Sequence, residues 1–386
     1  MESRLMHSDA VPLLKALVAC PSITPESAGA LDLLDGALTS LGFKVERLRF
    51  EGDGSYPVDN LFASFGGSGR HLLFAGHTDV VPPGDLGAWS HPPFAAETAD
   101  GCVYGRGTAD MKSGIAAFIA AVSQAISAGE TGDGRLSLAI TNDEEADAIN
   151  GTEKLLAWAA AQGYHFDFAV VGEPSSAARV GDSIKIGRRG SLNAEIVVNG
   201  VQGHVAYPDK ALNPLPLLAR LVSELSGRLD DGNAAFPPSN LEFTSIDVGN
   251  PVSNVIPGKA VARLNVRYND QWTPDSLTRH LGQRVEKIVG SNAQLRVLGR
   301  PSRSFLSPTG GGVSLLVETI AASTGTAPEL STGGGTSDAR FIAAYCPVVE
   351  LGIVGPTMHK VDEHVAVSDV EALTVLYRRF IAAYLH

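Results

Sequence analysis

Apolar residues recur at helical spacing near the start of the chain, at Val11, Leu14, Leu17 and Val18 and again at Leu31, Leu34, Leu38 and Leu41, which predicts helices over 8–20 and 25–41. Thr24, Pro25 and Glu26 supply an N-cap, a first helical proline and a first-turn acid for the second helix. The pattern then shortens to β-like runs at 44–50, 60–65 and 71–76. An almost wholly apolar helix is predicted over 111–128, as for a helix buried against a sheet. A strand at 136–141, a helix at 152–162 and a strand at 168–171 continue the alternation, which is that of an α/β domain.

From Ser191 the pattern changes. S-L-N-A-E-I-V-V-N-G alternates as a half-buried strand, followed by a helix over 210–227, strands at 240–248 and 259–268, a helix over 274–289 and a strand at 293–299. The order βαββαβ is the ferredoxin-like α+β unit, a compact domain in its own right. A helix from Val313, a G-G-G-T-S-D turn, a helix through Phe341, a strand over 348–351 and a last helix from Ser368 then resume the α/β character. The expected organisation is therefore an α/β domain in two parts, 1–187 and 303–386, with an inserted domain over 188–302 between them.

At 386 residues the chain exceeds what one core usually supports, in keeping with two domains. A formal charge of −12 argues against nucleic acid or an anionic membrane as partner. No apolar stretch is read as a membrane span and M-E-S-R-L-M-H-S-D-A has no signal-peptide core, so a cytoplasmic protein is expected. Cys20, Cys102 and Cys346 form no CxxC pair, and neither a disulfide framework nor a thiolate zinc site is indicated.

The candidate chemistry lies at strand ends. The 71–76 run exits into His77, Thr78 and Asp79; 136–141 into Asp143, Glu144 and Glu145; 168–171 into Glu173. Asp110 precedes the apolar helix, and His359 follows the 348–351 strand. Taken singly, each has an ordinary reading: Asp110 as an N-cap, His77 as a loop histidine, Glu173 as a turn residue. Ligands of open α/β sheets gather outside the carboxyl ends of strands, so one shared site explains three such exits better than three accidents. Imidazoles and carboxylates without thiolate suit zinc, cobalt or manganese. The donors outnumber what one tetrahedral ion can use, so two ions sharing one carboxylate fit, with Asp110 the natural bridge and Glu144 free to take a proton.

G-H-T-D-V-V-P, G-R-G-T-A-D-M-K, D-E-E-A, G-E-P, G-R-R-G-S-L, Q-G-H-V-A-Y-P, N-V-I-P-G, G-G-T-S-D and H-K-V-D-E, in this order over 71–364, together resemble the M20 metallopeptidase family. The resemblance implies a zinc-peptidase-like catalytic domain, a mixed sheet flanked by helices, with an inserted dimerisation and lid domain. It implies two Zn2+ ions, with Co2+ or Mn2+ as substitutes, one held by His77 and Glu173, the other by Glu145 and His359, with Asp110 bridging. Asp79 would orient His77, and Glu144 would serve as general base and then acid. His204 would act in the partner subunit's active site, making the homodimer catalytic. Arg188, Ser191 and Thr336 match substrate-binding positions, with Tyr207, Asn254 and Arg267 as further candidates. At the Arg188 position lysine would not be a mild replacement, because a guanidinium fork grips a carboxylate in a way an ammonium does not.

The implied activity is hydrolysis of N-succinyl-L,L-2,6-diaminopimelate to succinate and L,L-diaminopimelate, in the supply of lysine and cell-wall precursors. The rivals are another activity of the family, such as N-acetylornithine deacetylation or aminoacylase or dipeptidase action, and a metal-bound protein without activity. Gly355 departs from the pattern, since some members carry an asparagine four residues before the histidine that corresponds to His359.

Overall fold

The computed structural model describes residues 8–386, in two compact units. The first comprises the chain up to Ile186 together with Ser307–Ser331 and Ser337–His386; the second is Gly187–Leu306 with Thr332–Thr336. The second unit thus runs four residues beyond the expected return at 303, because Phe305–Leu306 pairs antiparallel with Gly187–Arg188.

Helices α1 (Ala10–Val18) and α2 (Ala30–Ser40) lead into an antiparallel hairpin of β1 (Lys44–Gly52) and β2 (Ser55–Gly66). The second helix starts at Ala30, five residues later than its sequence predicts, with Gly29 as N-cap. The Thr24 side chain is engaged elsewhere: its hydroxyl donates to Asp79 Oδ2 at 2.8 Å, and Ile23 bridges to Val80, so the chain stays irregular until Gly29. Then follow β3 (His71–His77), α3 (Ser113–Ala128), β4 (Arg135–Thr141), α4 (Thr152–Ala161), β5 (Phe168–Val171) and β6 (Ser183–Lys185).

The second unit contributes β7 (Gly190–Asn199), α5 (Pro214–Leu225), β8 (Asn240–Asp247), β9 (Lys259–Tyr268), α6 (Pro274–Val289) and β10 (Ala293–Ser302). Its long strands lie in the antiparallel order β8-β9-β7-β10, the ferredoxin-like arrangement that the βαββαβ pattern predicts. Leu192, Ala194, Ile196 and Val198 alternate inward from β7 against Leu218, Leu221 and Leu225 of α5 and Leu277, Leu281 and Val285 of α6. At the turn into α6, Asp230 accepts from Trp272 Nε1 and Asn269 Nδ2, both at 2.7 Å, and from the Gly232 and Ser239 amides.

The first unit resumes with α7 (Gly312–Thr324), β11 (Glu329–Ser331), α8 (Ala339–Ile342), β12 (Val348–Glu350), β13 (His364–Ala366) and α9 (Val367–Leu385). Its mixed sheet runs β1-β2-β4-β3-β5-β12-β6-β11, and the four central strands β4, β3, β5 and β12 are mutually parallel. β3 is buried along its whole length, as a central strand covered on both faces must be. On one face Phe74 stacks on Phe118 of α3 at 4.0 Å, and Tyr377 of α9 meets Phe118 edge-on at 5.4 Å. Among the described residues one helical stretch, Thr108–Ala128, is long and apolar enough to cross a membrane; it contains the apolar helix expected over 111–128 and is mostly buried inside this unit.

Candidate metal centre

Four parallel strands side by side deliver their carboxyl ends to one level, since His77 is in register with Thr141 and Ala75 with Val171. The residues that follow these ends are His77 and Asp79 from β3, Asp143–Glu145 from β4, Glu173 from β5, and the loop to His359 from β12. Asp110 enters from the start of α3. That helix begins at Ser113 rather than at Met111, and Asp110 itself is extended (φ −124°, ψ 99°), not an N-cap. Its approach depends on small residues: a β-carbon at Gly114 would stand 2.2 Å from the Gly172 carbonyl oxygen, next to Glu173.

The ligand atoms fall into two triads, His77–Asp110–Glu173 and Asp110–Glu145–His359, each with its atoms within 4.8 Å of one another. Asp110 belongs to both. Its Oδ1 lies 3.2 Å from His77 Nε2 and its Oδ2 3.3 Å from His359 Nε2. Glu173 Oε1 is 3.6 Å from His77 Nε2, and Glu145 Oε1 is 3.0 Å from His359 Nε2. His77 Nδ1 lies 2.9 Å from the Asp79 carbonyl oxygen, which can only accept, so Nδ1 carries the proton and Nε2 offers its lone pair to the site. The Asp79 carboxylate stands farther from Nδ1, at 3.5 Å, and accepts from the Glu144 and Glu145 amides and from the Thr24 hydroxyl. It thus orients the Glu144–Glu145 turn as much as the imidazole.

The electrostatics of the donor set are those of groups competing for protons. Hydrogen bonds to Asp110 and Glu145 raise His359 to about 10. Burial pushes His77 down, but hydrogen bonds to Asp110 and Asp79 and the nearby carboxylate charges outweigh it and hold the ring well above its ordinary value. Burial also pushes Asp110 up, and the two imidazoles overcome it and hold that carboxyl below the ordinary range. Glu144 and Glu173 are raised well above the carboxylate range, chiefly by burial and further by neighbouring negative charge. A divalent cation would replace these protons and relieve the mutual repulsion of the carboxylates, so the donor set fits such an ion at each triad.

Supporting residues surround this set: Asp143, one of the acids expected at a strand end, and Asp338, Glu363 and Arg106, which the sequence did not single out. Asp143 accepts from the amides of Ala148, Ile149 and Asn150 and from the Tyr56 hydroxyl at 2.6 Å, which fixes the turn bearing Glu144 and Glu145. Asp338, at the end of G-G-T-S-D, is 5% exposed and is pushed up by burial. Glu363 and Arg106 form a buried pair behind Asp110. Asp143 and Glu363 are held largely by backbone amides, partners that no sequence pattern reveals.

The remaining candidates belong to the second unit. Arg188 is 8% exposed and donates to the Gly333 carbonyl at 3.0 Å, within the segment that also carries Thr336. Ser191 and Asn240 are the register partners of Arg267 on either side. Arg189 donates to Asn240 Oδ1 at 3.0 Å, and buried nitrogens of Arg189 and Arg267 have no partner. His204 pairs with Val255 across a short ladder, where the Val205 amide donates to the Asn254 carbonyl and the Tyr207 amide to that of His204. His204, Tyr207 and Asn254 are therefore close along one exposed edge. At Gly355, in the first unit, a β-carbon would stand 2.9 Å from Pro174 Cβ, so this backbone as it stands leaves no room for an asparagine there.

The family model described as Peptidase family M20/M25/M40 matches residues 73–383. A protein named succinyl-diaminopimelate desuccinylase from Nitrobacter hamburgensis is 51% identical over 387 residues, spanning 98% of this chain and 100% of the relative. One of the same name from Rhodopseudomonas palustris is 52% identical over 380 residues, spanning 97% and 98%. Among solved structures, a tripeptidase from Staphylococcus aureus superposes with a TM-score of 0.79 at 19% identity, covering 98% of each chain. A dinuclear metal-binding peptidase of the M20 family from Bacillus subtilis gives a TM-score of 0.72 at 15% identity, covering 99% of this chain and 98% of its own.

Proposed function

The chain belongs to peptidase family M20/M25/M40, and on that footing we propose that it hydrolyses N-succinyl-L,L-2,6-diaminopimelate to succinate and L,L-diaminopimelate with two Zn2+ ions, which Co2+ or Mn2+ can replace. The observation that carries the dinuclear reading is the division of Asp110 between two triads, one oxygen toward each imidazole. The substrate assignment rests on the names of relatives about half identical over nearly their whole length.

His77 and Glu173 would hold one ion and Glu145 and His359 the other, with Asp110 available to both. Divalent ions held there would supply Lewis acidity to the amide carbonyl and lower the pKa of water toward neutrality. Glu144, adjoining the triads but part of neither, takes the proton of the attacking water as its oxygen bonds to the carbonyl carbon. When the carbon–nitrogen bond breaks, Glu144 returns that proton to the leaving amine. Asp79 and the His77 Nδ1 proton keep the imidazole turned so that Nε2 serves the metal.

From the second unit, Arg188, Ser191, Thr336 and Arg267 are the substrate contacts. A guanidinium suits the succinyl and α-carboxylates, and the unpartnered nitrogen of Arg267 favours an anion. This unit serves as dimerisation and lid element of a cytoplasmic homodimer, with His204 donating to the oxyanion in the partner's site and Tyr207 and Asn254 beside it. Parallel assays of succinyl-diaminopimelate and N-acetylornithine with zinc-loaded protein test the reading. Preference for the succinyl compound is expected; preference for the acetyl compound overturns the substrate assignment.

A further inference from the structure

We propose that Glu363 is a positioning residue that sets the Asp110 carboxylate in its bridging orientation, an inference that rests on the dinuclear reading above. Glu363 is fully buried and contributes to neither triad. Its Oε1 accepts from three amides of one loop, Gly107 at 3.1 Å, Ala109 at 2.8 Å and Asp110 at 3.3 Å. Its Oε2 accepts from Arg106, and its backbone carbonyl accepts from the Gly105 amide at 2.8 Å. Arg106 also donates to the Lys360 carbonyl at 3.3 Å and lies 5.3 Å above the Trp89 ring. Asp362, next to Glu363, accepts from the Ser90 and His91 amides.

Loop 105–110, which ends on the bridging candidate, and segment 359–363, which begins on His359, are therefore fastened together by side chains that belong to neither ligand triad. Convergent amides form a cup that a carboxylate fills with charge-assisted bonds. Removing that carboxylate leaves three buried donors unsatisfied and frees the Asp110 backbone to turn. A rotation of Asp110 would cost one of its two oxygens its place, since they face opposite imidazoles. A buried ion pair adds little net stability over apolar side chains of equal volume, so what the Arg106–Glu363 pair supplies is geometry.

The test uses cobalt-loaded full-length protein. Calorimetry reads the affinities of the first and second ion, and electron paramagnetic resonance reads the spin coupling between them. In E363Q the amide cannot satisfy both the loop amides and Arg106, so the second ion should bind about 10–100-fold more weakly, with the coupling diminished. R106M/E363Q removes the conflict and keeps the acceptor, so coupling should return. Wild-type affinities and coupling in E363Q overturn the proposal, as does a loss that R106M fails to rescue, which would mean that the charge itself is required. If E363Q does not fold, R106M/E363M decides alone, lost coupling supporting the role and retained coupling overturning it. A wild-type protein without a coupled pair defeats the dinuclear reading and the positioning role with it. A coupled wild type that leaves the succinyl substrate intact defeats only the substrate assignment.

Discussion

At the scale of single residues, Asp110 and Glu144 use their two carboxylate oxygens differently. Asp110 spends both on the two imidazoles. Glu144 belongs to neither triad, and its replacement by glutamine should lower kcat by about 10²–10⁴-fold while both metals still bind, which rate and calorimetric measurements on one preparation would show. The titrating groups make a second expectation. His359 holds its proton up to about 10 in the absence of a cation, so an incoming metal must expel it. Because protonated ligand competes with metal, affinity should rise with pH, by up to about tenfold per unit for each proton displaced. Calorimetry at pH 7 in buffers of different ionisation enthalpy should register proton release on zinc binding; a buffer-independent heat would contradict the geometry. The division of Glu144 and Glu145 into base and ligand could not be read from their adjacency. In the structure Glu145 faces His359, while Asp79 fixes the amides of both residues.

Among the elements, the alternation of strand and helix and most boundaries were legible in the sequence, because apolar periodicity is what a buried strand or helix needs. Phe168–Val171, Lys259–Tyr268 and Pro274–Val289 fall where the pattern puts them. The start of α2 did not, since local cap chemistry at Thr24 competed with a tertiary partner, Asp79, that no local pattern reveals. The same holds for Glu363 and for the turn-fixing role of Asp143, which the sequence showed only as a strand-end acid; their partners are largely amides of distant or irregular backbone. In the second unit, Asp230 gathers donors from three segments. Burial raises its carboxyl, but the hydrogen bonds prevail and lower it from 3.8 to about 2. A depressed folded value means that its stabilisation is complete above about 4 and is lost as pH falls toward about 2. Asp230→Ala should therefore destabilise this unit at neutral pH, by about 1–3 kcal/mol for buried donors left unpaired, and flatten its acid unfolding in that window, both followed by fluorescence of Trp272, which donates to this carboxylate.

For the whole molecule, the proposal that His204 works across a dimer makes a prediction that stability data cannot imitate. Mixed subunits of H204A and E144Q, each inactive alone, should regain about a quarter of wild-type activity, because half the dimers are hybrids and each hybrid keeps one intact site. If His204 acts within its own chain, no activity returns. The central claim, a two-metal amide hydrolase for a succinylated diamino acid, is tested most directly by titrating metal-free protein with zinc while following hydrolysis of N-succinyl-L,L-diaminopimelate. Activity should be absent without metal and reach its plateau at two equivalents per chain. Full hydrolysis by the metal-free protein, or none at two equivalents, would contradict it.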